Sequence, residues 1–236
     1  MGYNIIITGA SKGIGMETAK QFASNGNHTI VAIARNNDQL LKLKEECKEI
    51  NSNAVVIPIV FDLSSGNFEN DLIPYISKAI NRVDVLVNNA GWLVNESAAK
   101  ITDEQMLTSF AVNVFAPMKM VKYLSSMMGG NHWTHIVNIG SMAGFQGSDK
   151  FPGLTLYSAT KGAIAAYTEC LALELRDENI MVNCLALGSV NTEMLQQAFP
   201  GLVAKVEPAE MAEYVLDFCL VQHNFMNGKV VPVSLK

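Results

Sequence analysis

The chain has 236 residues, 49% of them hydrophobic and 17% charged, where an ordinary globular protein carries roughly 25% charged residues. Such a composition buries a sizeable core and excludes a disordered chain, which needs low hydrophobicity or high net charge. The formal charge of −5 comes without any basic tract, so the phosphate-neutralising stripe of a nucleic-acid binder is missing.

Apolar runs of strand length alternate with longer segments of helical period. Tyr3–Thr8 reads as a strand, Gly13–Asn25 as a helix and Thr29–Ala34 as a strand. Asp38–Ile50 is an amphipathic helix, with Leu40, Leu41, Leu43 and Cys47 facing in and Lys42, Lys44, Glu45 and Lys48 mostly out. The strand Ala54–Val60, the helix Glu69–Ile80 and the strand Val83–Asn88 come next. A helix runs from Asp103 to Met128, with an adjustment expected at Pro117, before the strand His135–Ile139. Tyr157–Arg176 is a long helix, followed by the strand Met181–Leu187, the helix Ala209–Val221 and the strand Lys229–Val233.

Near-continuous apolar strands such as Ile5-Ile6-Ile7 and Val85-Leu86-Val87 point to burial on both faces, as in a parallel sheet covered by helices. The alternation implies one Rossmann-like, doubly wound α/β domain over residues 1–236, with helices on both faces. Trp92–Lys100, Phe145–Leu156 and Gly188–Glu207 fit no regular element and follow strands. They should therefore lie at the carboxyl edge of the sheet, where ligands bind in this fold.

The cysteines Cys47, Cys170, Cys184 and Cys219 are widely separated, with no C-x-x-C pair and no histidine at zinc-ligand spacing. They read as single buried thiols in a reduced compartment, and no metal site is expected. The longest apolar stretch, Ala54–Phe61, contains Pro58 and falls far short of the roughly 20 residues that span a bilayer. A soluble, cytoplasmic protein with no nucleic-acid or membrane partner is expected.

The first strand runs into Thr8-Gly9-Ala10-Ser11-Lys12-Gly13-Ile14-Gly15 and then a helix. Glycines there allow a tight turn and bring backbone N–H groups to a pyrophosphate at the helix N-terminus. An NAD site usually places a carboxylate at the end of the second strand, against the ribose 2′-OH, whereas an Arg accommodates a 2′-phosphate. This sequence has Ala34-Arg35-Asn36 there, with Lys12 as a second cation in the glycine turn. NADP(H) is therefore favoured, although Asp38 is near enough to keep NAD(H) possible.

Tyr157 and Lys161 stand four apart on one face of a helix, after an irregular segment that follows a strand ending in Ile139-Gly140-Ser141. Together they form a proton-transfer set. A phenol is a weak acid–base catalyst at neutral pH, a neighbouring ammonium favours its phenolate, and Ser141 can hydrogen-bond a substrate oxygen gaining negative charge. The four histidines show no nucleophile–base arrangement.

In these residues the chain resembles the short-chain dehydrogenase/reductase family along nearly its whole length. The match rests on Thr8-Gly9-x3-Gly13-x-Gly15, Asp62-Leu63, Asn88-Asn89-Ala90-Gly91, Asn113, Ser141 and Tyr157-x3-Lys161. The resemblance implies that Asp62, with Leu63 beside it, contacts the adenine and that Asn88–Gly91 support the sheet beside the cofactor. It implies that Ser141 polarises a carbonyl, Tyr157 donates the proton, and Lys161 binds the nicotinamide ribose and lowers the pKa of Tyr157. Asn113 would hold a water linking Lys161 to solvent. Ile139, Asn89, Ala90, Gly91, Gly188, Val190 and Thr192 complete the implied cofactor contacts. Homodimers or homotetramers are implied too, built on the helices containing Asn113 and Tyr157. The latter helix carries Ala159, Gly162, Ala163, Ala165 and Ala166, small enough for close packing or for ordinary intramolecular contact.

Two departures stand out. Leu187 replaces the proline that usually precedes Gly188, and the end Asn227–Lys236 lacks the usual Asp-Gly-Gly. Met142, Phe145, Phe151, Met194, Leu195 and Phe199 are candidates for the substrate wall. An apolar pocket suits a hydrophobic ketone, an aldehyde or a 3-oxoacyl thioester. The expected activity is an NADP(H)-preferring hydride transfer between nicotinamide and a small-molecule carbonyl or secondary alcohol. The alternatives are a non-catalytic NADP(H) sensor or assembly subunit, and epimerisation with cofactor regenerated in each cycle.

Overall fold

β-branched runs form the strands, and their two faces carry separate halves of the core. The computed structural model describes residues 2–234. Its strands are β1 (Asn4–Thr8), β2 (Thr29–Ala34), β3 (Val55–Val60), β4 (Val85–Asn88), β5 (Thr134–Ile139), β6 (Ile180–Leu187) and β7 (Val230–Val233). They make one seven-stranded sheet in the order β3-β2-β1-β4-β5-β6-β7. Every neighbouring pair is parallel. Pro58 is tolerated because β3 is an edge strand, where one side of the backbone makes no ladder bonds.

Parallel neighbours need crossovers, and helices supply them. These are α1 (Gly13–Asn25), α2 (Asn37–Ile50), α3 (Ile73–Ala79), α4 (Asp103–Phe110), α5 (Ala116–Leu124), α6 (Thr155–Glu174), α7 (Glu193–Ala198) and α8 (Pro208–Val221). Successive strand residues point to opposite faces. Ile5 and Ile7 pack with Phe22 of α1, Leu40 of α2 and Val215 of α8. Ile6 joins Leu72, Ile76 of α3, Met120 of α5 and Leu171 of α6 on the other face. The doubly wound α/β reading, with helices on both faces, is the observed fold.

Five sequence expectations need correction. Residues 103–128 are not one helix: Ala111–Phe115 forms a wide turn in which the Ala116 N–H bonds to Ala111 O, one residue beyond α-helical spacing. Pro117 follows directly, and a proline both lacks an N–H and crowds the carbonyl four residues back. A similar turn, Phe68–Leu72, opens the helix expected at Glu69–Ile80. The segment Gly188–Glu207 holds α7, capped by the Thr192 hydroxyl accepting from the Leu195 N–H. Leu41 of α2 and Cys170 of α6 are exposed rather than buried, since the inward stripe of α2 is Leu40, Leu43 and Cys47. Of the unusual C-terminus, Leu235 and Lys236 lie outside the described residues.

Candidate active site

β1 delivers the chain to the point where the sheet order reverses, between β1 and β4. Gly9 turns there with φ +68°, and Gly13 follows with φ +58°. A Cβ on Gly9 would stand 2.8 Å from Ala90 Cα, and one on Gly15 would collide with Asn89 Nδ2 and the Gly9 carbonyl. Asn89 fixes this turn by donating from Nδ2 to Thr8 O at 2.9 Å and Gly9 O at 3.2 Å. Thr8 Oγ1 accepts from the Asn89 and Ala90 N–H groups, each at 3.1 Å. Asn88, one residue earlier, ties β4 to β5 through Asn138 at 2.8 Å.

A cavity of about 1240 Å³ opens along this carboxyl edge. It exceeds the roughly 300–1,000 Å³ of ordinary small-molecule sites, leaving room for a dinucleotide and a second molecule. Gly9, Ser11, Lys12, Gly13 and Ile14 line one end, with Arg35, Asn36, Asp62 and Leu63 beyond them. Gly15 is buried beneath, so it serves the close packing of α1 on Asn89 rather than contact with a ligand. Asp62 accepts from the Ser64 hydroxyl at 2.6 Å and the Ser64 N–H at 2.8 Å. These bonds hold its carboxyl below the usual range against a partial desolvation penalty, with Arg35 adding to the effect. The glycine turn at a helix start, with Gly9, Ser11, Gly13 and Ile14 lining the cavity, fits a dinucleotide pyrophosphate.

Ala90, Gly91, Ile139, Gly188, Val190 and Thr192 continue the wall toward Ser141, Tyr157 and Lys161, which also line it. The turn Met142–Gly144 docks on α6, where a Cβ on Gly144 would collide with the Lys161 backbone. That contact sets Ser141 opposite the first turns of α6. Ser141 Oγ accepts from the Ala143 N–H at 3.1 Å. Burial pushes the Tyr157 phenol up to about 12, opposed by a hydrogen bond with Ser141. Lys161 is 4% exposed, donates to Ile139 O at 2.7 Å, and is pushed down to about 8 by burial.

Lys161 Nζ sits 5.7 Å from the Tyr157 ring centroid, with its hydrogen bond going to the Ile139 carbonyl. Asn113 is held by its side chain. Its Oδ1 accepts from the Trp92 N–H at 2.8 Å, and its Nδ2 donates to Trp92 O at 2.9 Å and Thr160 Oγ1 at 3.0 Å. The side chain lies in the wide turn Ala111–Phe115, is 1% exposed, and ties the segment after β4 to α6.

Met142, Phe151, Met194, Leu195 and Phe199 line the cavity. Phe145 does not belong to its wall; its carbonyl instead accepts from Ser148 Oγ and Lys150 Nζ. Trp92, Val112, Asp149 and Leu154 do line the cavity and were not singled out from sequence. Trp92 had a signal: it directly follows Asn88–Gly91 at the switch point. α7 borders the cavity through Glu193, Met194 and Leu195, held by Lys12–Glu193 at 2.7 Å and by Asn95 Nδ2 donating to Ala198 O at 2.7 Å.

Among the described residues no group of histidine, cysteine and carboxylate side chains could hold a metal ion, and no helix is long and apolar enough to cross a membrane. The family model for short chain dehydrogenases matches residues 3–202. An L-xylulose reductase from Caenorhabditis elegans is 34% identical over 193 residues, covering 80% of this chain and 72% of that protein. A short chain dehydrogenase from Shigella flexneri, solved with NADP, superposes with a TM-score of 0.89 at 25% identity, over 98% of this chain and 96% of that one. A 3-ketoacyl-(acyl-carrier-protein) reductase from Brucella melitensis, solved with NADH, gives 0.85 at 26% identity, over 98% and 96%. The chain belongs to the short-chain dehydrogenase/reductase family and is an oxidoreductase.

Proposed function

We propose that the chain is one catalytic domain that interconverts a carbonyl and a secondary alcohol, with NADP(H) preferred and Tyr157 as the general acid and base. The observation that carries this reading is the meeting of Ser141, Tyr157 and Lys161 in one cavity with the glycine turn. The nicotinamide, when bound, supplies or accepts the hydride. Gly9, Ser11, Gly13 and Ile14 would hold the pyrophosphate, Asp62 the adenine, and Ile139, Gly188, Val190 and Thr192 the nicotinamide side. Arg35 and Lys12 would hold a 2′-phosphate, and Asn36 borders them.

In the reducing direction the phenol of Tyr157 gives its proton to the substrate oxygen while Ser141 donates to the same oxygen. A phenol held above its ordinary value has that proton at neutral pH. Lys161, held near 8, titrates close enough to neutrality to pass a replacement proton. Asn113 acts by position, fixing Trp92 and α6. Exposed Leu107 of α4, Phe115 and Leu173 of α6 flank the helices on which homodimers or homotetramers would form.

The test is NADPH oxidation against a panel of ketones, aldehydes and thioesters, with NADH in parallel. Tyr157→Phe should lower turnover by about 10²–10⁴ while leaving NADPH binding largely intact. Unchanged turnover in that variant would remove Tyr157 from the mechanism. Tight NADPH binding with silence across the panel would favour the sensor.

A further inference from the structure

Apart from the buried Lys161, the cations lining the cavity gather at one end. Lys12 and Arg35, with Asp62, flank the glycine turn and the ends of β2 and β3. Lys161 is buried and committed to Ile139 O at 2.7 Å. Glu193 is paired with Lys12 at 2.7 Å, so the substrate side is left with one unpaired charged side chain, the carboxylate of Asp149. Lys150, the cation next to Asp149, is turned away: its ammonium donates to Phe145 O at 2.6 Å and Ser148 Oγ at 2.7 Å. The surrounding wall is apolar, built from Trp92, Val112, Met142, Leu154, Met194 and Phe199. Ser148, a hydroxyl in that wall, is spent on the carbonyls of Met142 and Phe145.

An anion entering this chamber would lose hydration without gaining a counter-charge. A polyol would find Asp149 as its one unspent side-chain acceptor besides the catalytic pair, and its remaining hydroxyls would stay unpaired against the apolar wall. We infer that the chamber takes a neutral, apolar ketone or aldehyde and rejects keto acids, phosphorylated acyl carriers and sugars. The inference rests on the reductase reading above and narrows it. It also separates this chain from its relative named for L-xylulose.

Three carbonyls test it: methyl 6-oxoheptanoate, its free acid 6-oxoheptanoate, and L-xylulose, each with NADPH. The ester should exceed the acid in kcat/KM by about tenfold or more, which is about 1.4 kcal/mol of discrimination, and should exceed the sugar further. Trp92 provides a second readout, since ligand entering the chamber should quench its fluorescence in the same order of affinity. Asp149→Lys supplies the missing cation and should shrink the ester-to-acid preference by at least about threefold. Preference for the acid or the sugar, in turnover or in binding, would overturn the inference and leave the reductase reading standing. Selective binding of the ester without turnover would uphold the inference and sink that reading. An ester-to-acid ratio unmoved by Asp149→Lys would count against the electrostatic part.

Discussion

At the amino edge of the sheet, ahead of β1, β2 and β5, aromatic rings stack into a plug, while at the carboxyl edge the ionisable groups face a cavity. His28 stacks on Tyr3 at 5.4 Å, Tyr3 meets Trp133 edge-on at 5.2 Å, and Trp133 stacks on His223 at 4.0 Å. His135 lies behind them with no solvent exposure. Its Nδ1 pairs with Cys219 O and its Nε2 with Asn183 Nδ2, each at 3.0 Å. His28 Nδ1 accepts from the Tyr3 N–H at 3.0 Å. Burial shifts His135 at one edge and Tyr157 and Lys161 at the other. A perturbed titration therefore does not by itself mark a functional site. What differs is access: both His135 nitrogens are consumed by the fold, whereas Ser141 and Tyr157 border open space large enough for two ligands.

The largest expected effect that sharpens this contrast is acid lability arising from the plug. Desolvation pushes His135 down to about 4 from 6.5, against a raising contribution from the Cys219 carbonyl. Above pH 6.5 the group is neutral folded or unfolded and exerts no pH effect. Below 6.5 the unfolded chain takes up a proton that the folded one refuses, so stability falls until about pH 4. Each pH unit in that window costs about 1.4 kcal/mol, or about 3 kcal/mol across it. His28, also lowered by burial, adds in the same direction. His135→Gln should cost about 1–3 kcal/mol at pH 7 by disturbing two buried hydrogen bonds. It should then lose about 2 kcal/mol less than the native chain between pH 7 and pH 4.5 in urea unfolding. Parallel acid profiles for the two proteins would break the assignment of the plug as the acid-sensitive region.

At the other edge, Arg35 is the counterpart of His135: an exposed cation that forms no ion pair among the described residues, at the rim of the cavity. Hydrogen bonds to charged groups are worth about 1.5–3 kcal/mol. Arg35→Asp should therefore weaken NADPH by about 10- to 100-fold and leave NADH much less affected, measured by fluorescence titration. Equal losses for both dinucleotides would remove the 2′-phosphate from the argument and return Arg35 to the solvated surface.

The sheet was legible because runs such as Ile5-Ile6-Ile7 have one physical use in a chain of this composition, burial on both faces. The glycine turn and the Tyr157–Lys161 pair were legible because their spacing is local to one turn of backbone. Less visible was whatever depends on where side chains are spent. Phe145 reads as pocket wall until its backbone carbonyl proves to be the part in use, accepting from Ser148 Oγ and Lys150 Nζ. The six-residue α7 was hidden by the Gly, Ser and Asn around it, although Thr192 ahead of Glu-Met-Leu-Gln-Gln-Ala is a capped helix start. Asn113 and Trp92 are 21 residues apart, and nothing in their spacing announces the paired hydrogen bonds between them.

The smallest effect concerns the ion pair that crosses the carboxyl edge. Lys12 and Glu193 meet at 2.7 Å with their side chains 53% and 65% exposed. An exposed pair of this kind contributes about 0–1 kcal/mol, at most about fivefold in an equilibrium. Its interest lies in competition, because the ammonium that holds α7 is also the one assigned to a 2′-phosphate. If Lys12 holds the 2′-phosphate as proposed, the two anions compete for it, and the carboxylate should weaken NADPH and not NADH. Glu193→Gln should tighten NADPH by up to about fivefold and change NADH by less than about twofold. The gain should fade in about 1 M salt, where the screening length falls to about 3 Å. If both dinucleotides bind more weakly instead, the pair is a strap that keeps α7 beside the cavity, and the contrast with the amino edge narrows, since Lys12 would then be held by the fold much as His135 is.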